Sequence, residues 1–202
     1  AHGAGAPAMP DGRGETDGRS GNPLSLEQKQ KILEGLMEGI GFIHSHGIIH
    51  RDLKPQNILI AKRGNDYIPK ITDFGISKKL GKGHGSIYTN SLAGAGTLAY
   101  TSPEQLAGKP IRKNTDLWSL GVIAYQLFLN KLPFNSGGLE TKSEAGRMEL
   151  VKQINKGVVP QEINSIPFPY NNLIRHCLQV DPEQRVRDIA ACRKICYGSG
   201  ED

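Results

Sequence analysis

The sequence contains no apolar run approaching the ~18–20 residues that cross a bilayer, and no signal-peptide pattern opens it. These absences lead us to expect no membrane segment in this chain and a cytoplasmic location. Cysteine is scarce. Cys177, Cys192 and Cys196 form neither a zinc-ligand spacing nor an even disulfide set. Cys192 and Cys196 stand one helical turn apart and could share a helix face, but unpaired packing thiols in a reducing compartment are the simpler account. Aromatic residues make up 6% of the chain, too few to interleave with its scattered lysines and arginines as base-stacking platforms. The net charge of +5 therefore does not argue for nucleic acid. No internal repeat is visible.

With 202 residues, 37% of them hydrophobic, the chain can bury one ordinary core. Residues 1–23 are rich in Gly, Ala and Pro and hold almost no large apolar side chain, so they read as a disordered tail. From Ser25 the pattern changes. Leu26, Leu33, Leu36, Ile40 and Ile43 recur at helical spacing up to His46, with Gly47 as the stop. Ile58-Leu59-Ile60 and Lys70-Ile71-Thr72 read as short strands of a hairpin turning through Arg63-Gly64-Asn65-Asp66. Further helices are expected over 116–129, 143–154, 170–179 and 188–195. The last residues, 197–202, read as a flexible terminus.

The informative residues lie around that hairpin. His50-Arg51-Asp52-Leu53-Lys54-Pro55-Gln56-Asn57 precedes it, Asp73-Phe74-Gly75 follows it, and Ser102-Pro103-Glu104 comes later. An aspartate, a lysine, an asparagine and a second aspartate in this order are what phosphoryl transfer uses as base, phosphate clamp and two metal ligands. The hairpin brings Asn57 and Asp73 close together, so the two motifs can share one metal site. Taken singly, each residue has a plainer reading: Asp52 a loop cap, Lys54 a solvated surface lysine, Asn57 and Asp73 turn formers, Leu59 a core residue.

Together the three signatures resemble the C-terminal catalytic lobe of a eukaryotic-type serine/threonine protein kinase. The resemblance covers residues 24–196. It implies an α+β, mainly α fold, a kinase-like C-lobe with a small β-hairpin at the active site. Its expected activity is transfer of the ATP γ-phosphate to Ser or Thr hydroxyls of protein substrates, with ATP and Mg²⁺ as cofactors. By the same resemblance Asp52 is the general base, and Lys54 neutralises charge on the γ-phosphate and marks the serine/threonine class. Asn57 and Asp73 hold Mg²⁺, and Leu59 packs beneath the adenine ring. Other matches are architectural. His50 and Phe74 belong to an apolar spine, Glu104 and Arg185 to a buried ion pair, and Asp116 accepts hydrogen bonds from the catalytic-loop backbone. Thr97 touches Asp52 and Lys54.

The activation segment would run from Asp73 to Glu104. Arg51 is placed to dock a phosphorylated loop residue. The acceptor position of many relatives is Ala93 here, so Thr89 or Ser91 would have to substitute. Two positions that are glutamates in relatives selecting upstream arginine are Gln56 and Gln126, which implies no strong preference for basic residues there.

The family also uses a glycine-rich strand-turn-strand and a strand lysine, yet the first lysine here is Lys29, already inside the first helix. Gly81-Lys82-Gly83-His84-Gly85 follows Asp73 and reads as activation-loop sequence. The expectation is therefore a lobe whose N-lobe segment or partner is missing from this chain, with activity of the chain alone in doubt. A truncated, non-catalytic regulatory or binding fragment is the alternative.

Overall fold

The computed structural model describes residues 24–64, 66–73, 78–79 and 95–198. The expected tail over 1–23, Phe74, the glycine-rich run at 81–85, Thr89, Ser91, Ala93 and residues 199–202 lie outside the described residues.

Helix α1, Leu26–Ser45, begins where Ser25 caps it. The Gln28 amide N–H donates to Ser25 Oγ and the Ser25 N–H donates to Gln28 Oε1, a reciprocal box that satisfies two end donors. Ile32, Leu33, Leu36, Met37, Ile40 and Ile43 form its buried stripe. A two-residue strand, β1 (Ile48–Ile49), follows, and then a 3-10 turn over Pro55–Asn57.

Strands β2 (Ile58–Arg63) and β3 (Asp66–Ile71) form the antiparallel hairpin, with Ile58 opposite Ile71 and Ile60 opposite Pro69. Both are longer than their apolar alternation suggests, and packing on α1 explains the extension. A Cβ at Gly35 would lie 2.8 Å from the Pro69 ring, and one at Gly39 would lie 3.0 Å from Ile71 Cδ1. The two glycines form the seat for β3, and Pro69 is tolerated because β3 has β2 on one side only. The opposite face of the hairpin carries Leu59 and Ile68, which are exposed. A second two-stranded pairing joins β1 to β4 (Lys78–Lys79), which the sequence pattern did not suggest.

The remaining elements are helical: α2 (Ala95–Leu98), α3 (Pro103–Leu106), α4 (Lys113–Leu129), α5 (Glu144–Lys156), α6 (Tyr170–Cys177) and α7 (Ile189–Tyr197). Helix α4 is buried almost all round, so it is the central pillar rather than an amphipathic surface helix. Trp118 on α4 stacks on Phe134 with ring centroids 5.6 Å apart. Serine and aspartate caps start α5 (Ser143) and α7 (Asp188), as those residue types favour. The chain is thus mainly helical with small two-stranded sheets.

All three cysteines are free thiols. Cys177 and Cys192 are buried against one another between α6 and α7, and their contact and burial push the Cys177 thiol up. Burial and the neighbouring Cys192 raise Cys196 to about 12. These are inert packing groups. No helix among the described residues is long and apolar enough to cross a membrane.

Candidate active site

The candidate site lies where the loop after β1 meets the open end of the β2–β3 hairpin. Its geometry starts from Asp116, near the N-terminus of α4 and 1% exposed. Asp116 Oδ2 accepts the His50 N–H at 2.9 Å, and Oδ1 accepts the Arg51 N–H at 2.8 Å. His44 of α1 donates from Nε2 to Oδ2 at 2.7 Å. A carboxylate offers about four lone-pair sites, so one buried anion ties a helix and two successive loop amides together. Arg51 stands at φ 71°, a conformation uncommon outside glycine, and these bonds help to hold it. Gln105 of α3 adds a fourth tie, donating from Nε2 to Arg51 O at 2.8 Å.

Asp52 follows directly. Its N–H donates to His50 Nδ1 at 3.3 Å, while His50 Nε2 donates to the carbonyl of Thr72 at 2.9 Å. The two bonds are mutually consistent with a neutral imidazole protonated on Nε2. The Asp52 carboxylate is bracketed by two donors: Lys54 Nζ lies 2.9 Å from Oδ2, and Asn57 Nδ2 donates to the same oxygen at 3.2 Å and to Asp52 O at 2.8 Å. Lys54 Nζ also donates to Thr97 Oγ1 at 2.9 Å, so the lysine bridges Asp52 and Thr97. Side-chain exposures of 11% for Asp52 and 18% for Lys54 leave both reachable from solvent.

The hairpin delivers the second acidic group. The Thr72 N–H donates to Asn57 O at 2.9 Å, continuing the ladder one step beyond the Ile58–Ile71 pair. Asp73 is the next residue, exposed and at φ 61°. With its side-chain nitrogen Nδ2 committed to Asp52, Asn57 has its side-chain oxygen Oδ1 left to ligate. An amide oxygen and a carboxylate are hard donors suited to Mg²⁺, though two are too few for a closed cage. Among the described residues no cluster of three or more His, Cys, Asp or Glu side chains could hold a metal. That donor set fits a cation that keeps several waters and takes further oxygens from phosphate.

Leu59 is 60% exposed on the outer face of the hairpin, so it is not a core residue. Phe74 is outside the described residues. Glu104 and Arg185 form the buried pair, with Nη1 2.6 Å from Oε1 and Nη2 2.9 Å from Oε2. Burial alone would raise the Glu104 carboxyl. Arg185 and a hydrogen bond from Thr115 outweigh that effect and hold it below its ordinary 4.5. The guanidinium also lies 5.2 Å from the Trp118 ring. Gln126 is 1% exposed and accepts the Tyr100 hydroxyl at 2.6 Å.

Sequence reasoning passed over His44 and Thr72. His44 was detectable as a polar residue interrupting the buried stripe of α1. Thr72 carried no local signal beyond its place before Asp73.

Residues 13–196 match the protein kinase domain family. The chain belongs to that family. Serine/threonine-protein kinase Pkn1 of Myxococcus xanthus is 35% identical over 175 residues, covering 86% of this chain and 24% of that protein. Serine/threonine-protein kinase H1 of Homo sapiens is 34% identical over 166 residues, covering 81% and 37% respectively. A probable serine/threonine-protein kinase of Clostridium perfringens is 40% identical over 144 residues, covering 70% and 19%. The chain therefore spans well under half the length of these kinase relatives.

Proposed function

We propose that this chain is the C-lobe of a serine/threonine protein kinase, spanning residues 24–196, and that it contributes the catalytic residues for phosphoryl transfer to protein Ser or Thr hydroxyls. The observation that carries the reading is the bracketed carboxylate of Asp52, contacted by both Lys54 and Asn57 beside the Thr97 hydroxyl. Asp52 orients the acceptor hydroxyl and accepts its proton, a contribution typically worth ~10²–10⁴-fold. Lys54, within reach of the same oxygen, supplies positive charge where the transferred phosphoryl group develops negative charge.

Asn57 and Asp73 are the residues that would hold Mg²⁺. When bound there, it would supply positive charge that offsets the charge of the ATP phosphates. Leu59, exposed on the hairpin, offers an apolar surface for the adenine ring. Protein substrates would enter past Thr97. The N-lobe parts of the nucleotide site would come from another segment or partner. The alternative is a regulatory or binding fragment without catalysis.

The experiment is a phosphotransfer assay with ATP and Mg²⁺ on this chain and on a longer form that includes a strand lysine, followed by acid hydrolysis of the product. Phosphoserine or phosphothreonine that disappears with Asp52→Ala is the expected result. Nucleotide binding without any transfer in either form favours the regulatory alternative.

A further inference from the structure

Thr72 carries more of the site than its place at the end of the hairpin suggests. All three of its polar groups are committed to the catalytic loop. Its N–H and its Oγ1 hydroxyl both donate to Asn57 O, at 2.9 and 3.2 Å, and its carbonyl accepts from His50 Nε2 at 2.9 Å. His50 and Asn57 flank Asp52 on either side, and each contacts it. Thr72 therefore closes a ring of contacts that runs from Asp52 through Asn57, across to Thr72, and back through His50.

The next residue is Asp73, at φ 61°. A non-glycine residue in the left-handed region costs on the order of 1 kcal/mol or more, so its neighbours must hold it there. The peptide unit that sets this φ begins with the Thr72 carbonyl, which His50 fixes. Without the hydroxyl, one N–H bond would tie Thr72 to Asn57 beside the Ile58–Ile71 pair. The hydroxyl supplies a second bond to the same acceptor and fixes the Thr72 side chain against the loop.

We propose that the Thr72 hydroxyl is a positioning group that sets the relation between Asn57 and Asp73, and so the affinity of the site for a divalent cation with nucleotide. The inference rests on the kinase reading above. Thr72→Val is the informative change, because it keeps the β-branched shape and leaves Asn57 O its backbone N–H bond. Thr72→Ser keeps the hydroxyl and serves as the control. The probes are Mn²⁺, followed by electron paramagnetic resonance in the presence of a non-hydrolysable ATP analogue, and amide hydrogen exchange at residues 72 and 73 without ligand.

Thr72→Val should weaken Mn²⁺–nucleotide binding roughly three- to tenfold, the effect of one hydrogen bond, and speed exchange at both amides. Thr72→Ser should stay within about twofold of the parent in binding, since the donor is retained. A purely structural role would lower the unfolding midpoint of Thr72→Val and leave Mn²⁺ affinity unchanged. That result overturns the proposal while the kinase reading stands. The measurement is made on the longer form that carries the N-lobe parts, and failure of that unaltered form to bind Mn²⁺ with nucleotide at all contradicts the kinase reading, and the proposal with it.

Discussion

Asp116 and Asp73 both lie next to the residues that hold the Asp52 loop, but they sit in opposite environments. Asp116 is 1% exposed and spends its lone pairs on two loop amides and His44. Asp73 is exposed, at the end of a hairpin and in a left-handed conformation. A carboxylate buried behind three protein donors holds structure. An exposed one can take a ligand. The buried Glu104–Arg185 pair beside α4 and the exposed end of the hairpin repeat the contrast.

The strongest test of the buried side is Glu104–Arg185. Arg185→Met should cost about 3–5 kcal/mol in chemical denaturation, because it leaves a carboxylate buried alone. Changing both partners to apolar residues of similar volume should recover most of that loss. The pair also predicts a pH dependence. Glu104 titrates below its ordinary 4.5 in the folded protein, so its contribution is full above that value and lost as pH falls through the folded pKa. In Arg185→Met the acid limb of the stability profile should flatten between these two values.

Asp116→Asn and Asp73→Asn set the two environments against each other. The first should lower stability by about 1–3 kcal/mol, because a buried acceptor is replaced by an amide that cannot receive all three donors. The second should change stability by no more than ~0.5 kcal/mol, as for an exposed surface change, while weakening binding of Mn²⁺ with nucleotide. Equal stability losses in the two variants would break the comparison.

Gly35→Ala probes how the hairpin is seated. The added methyl meets the Pro69 ring at 2.8 Å, so a loss of roughly 1–3 kcal/mol in unfolding is expected from overpacking. Smaller still is the change at Gln56, which is exposed beside the loop. Gln56→Glu should raise selection for arginine upstream of the acceptor by about tenfold in a positional peptide library, through charge-assisted pairing that an amide cannot offer.

The elements whose cause is local were legible in the sequence. The helices that begin near Ser25, Ser143 and Asp188 were legible because apolar periodicity is a local signal, and the apolar stripe of α1 placed its buried face. The order of Asp52, Lys54, Asn57 and Asp73 pointed to a shared site because the hairpin between them is short. Groups defined by distant partners were less visible. Strand β1 exists only through its pairing with β4, and two residues carry no periodicity. His44 acquires its role from Asp116 on another helix. The hairpin outgrew its apolar alternation because glycines on α1 seat it, a contact that no strand pattern records.

The central claim is that Asp52 is the reacting carboxylate of a phosphoryl-transfer site and not a loop cap. Turnover of a Ser/Thr peptide by an active form containing this chain, compared with its Asp52→Asn variant, tests that claim most directly. The account predicts a fall in kcat of ~10²–10⁴-fold with ATP binding and the unfolding midpoint close to those of the parent, since the amide keeps the shape but cannot accept the proton. An Asp52→Asn variant that turns over at the parent rate would contradict it.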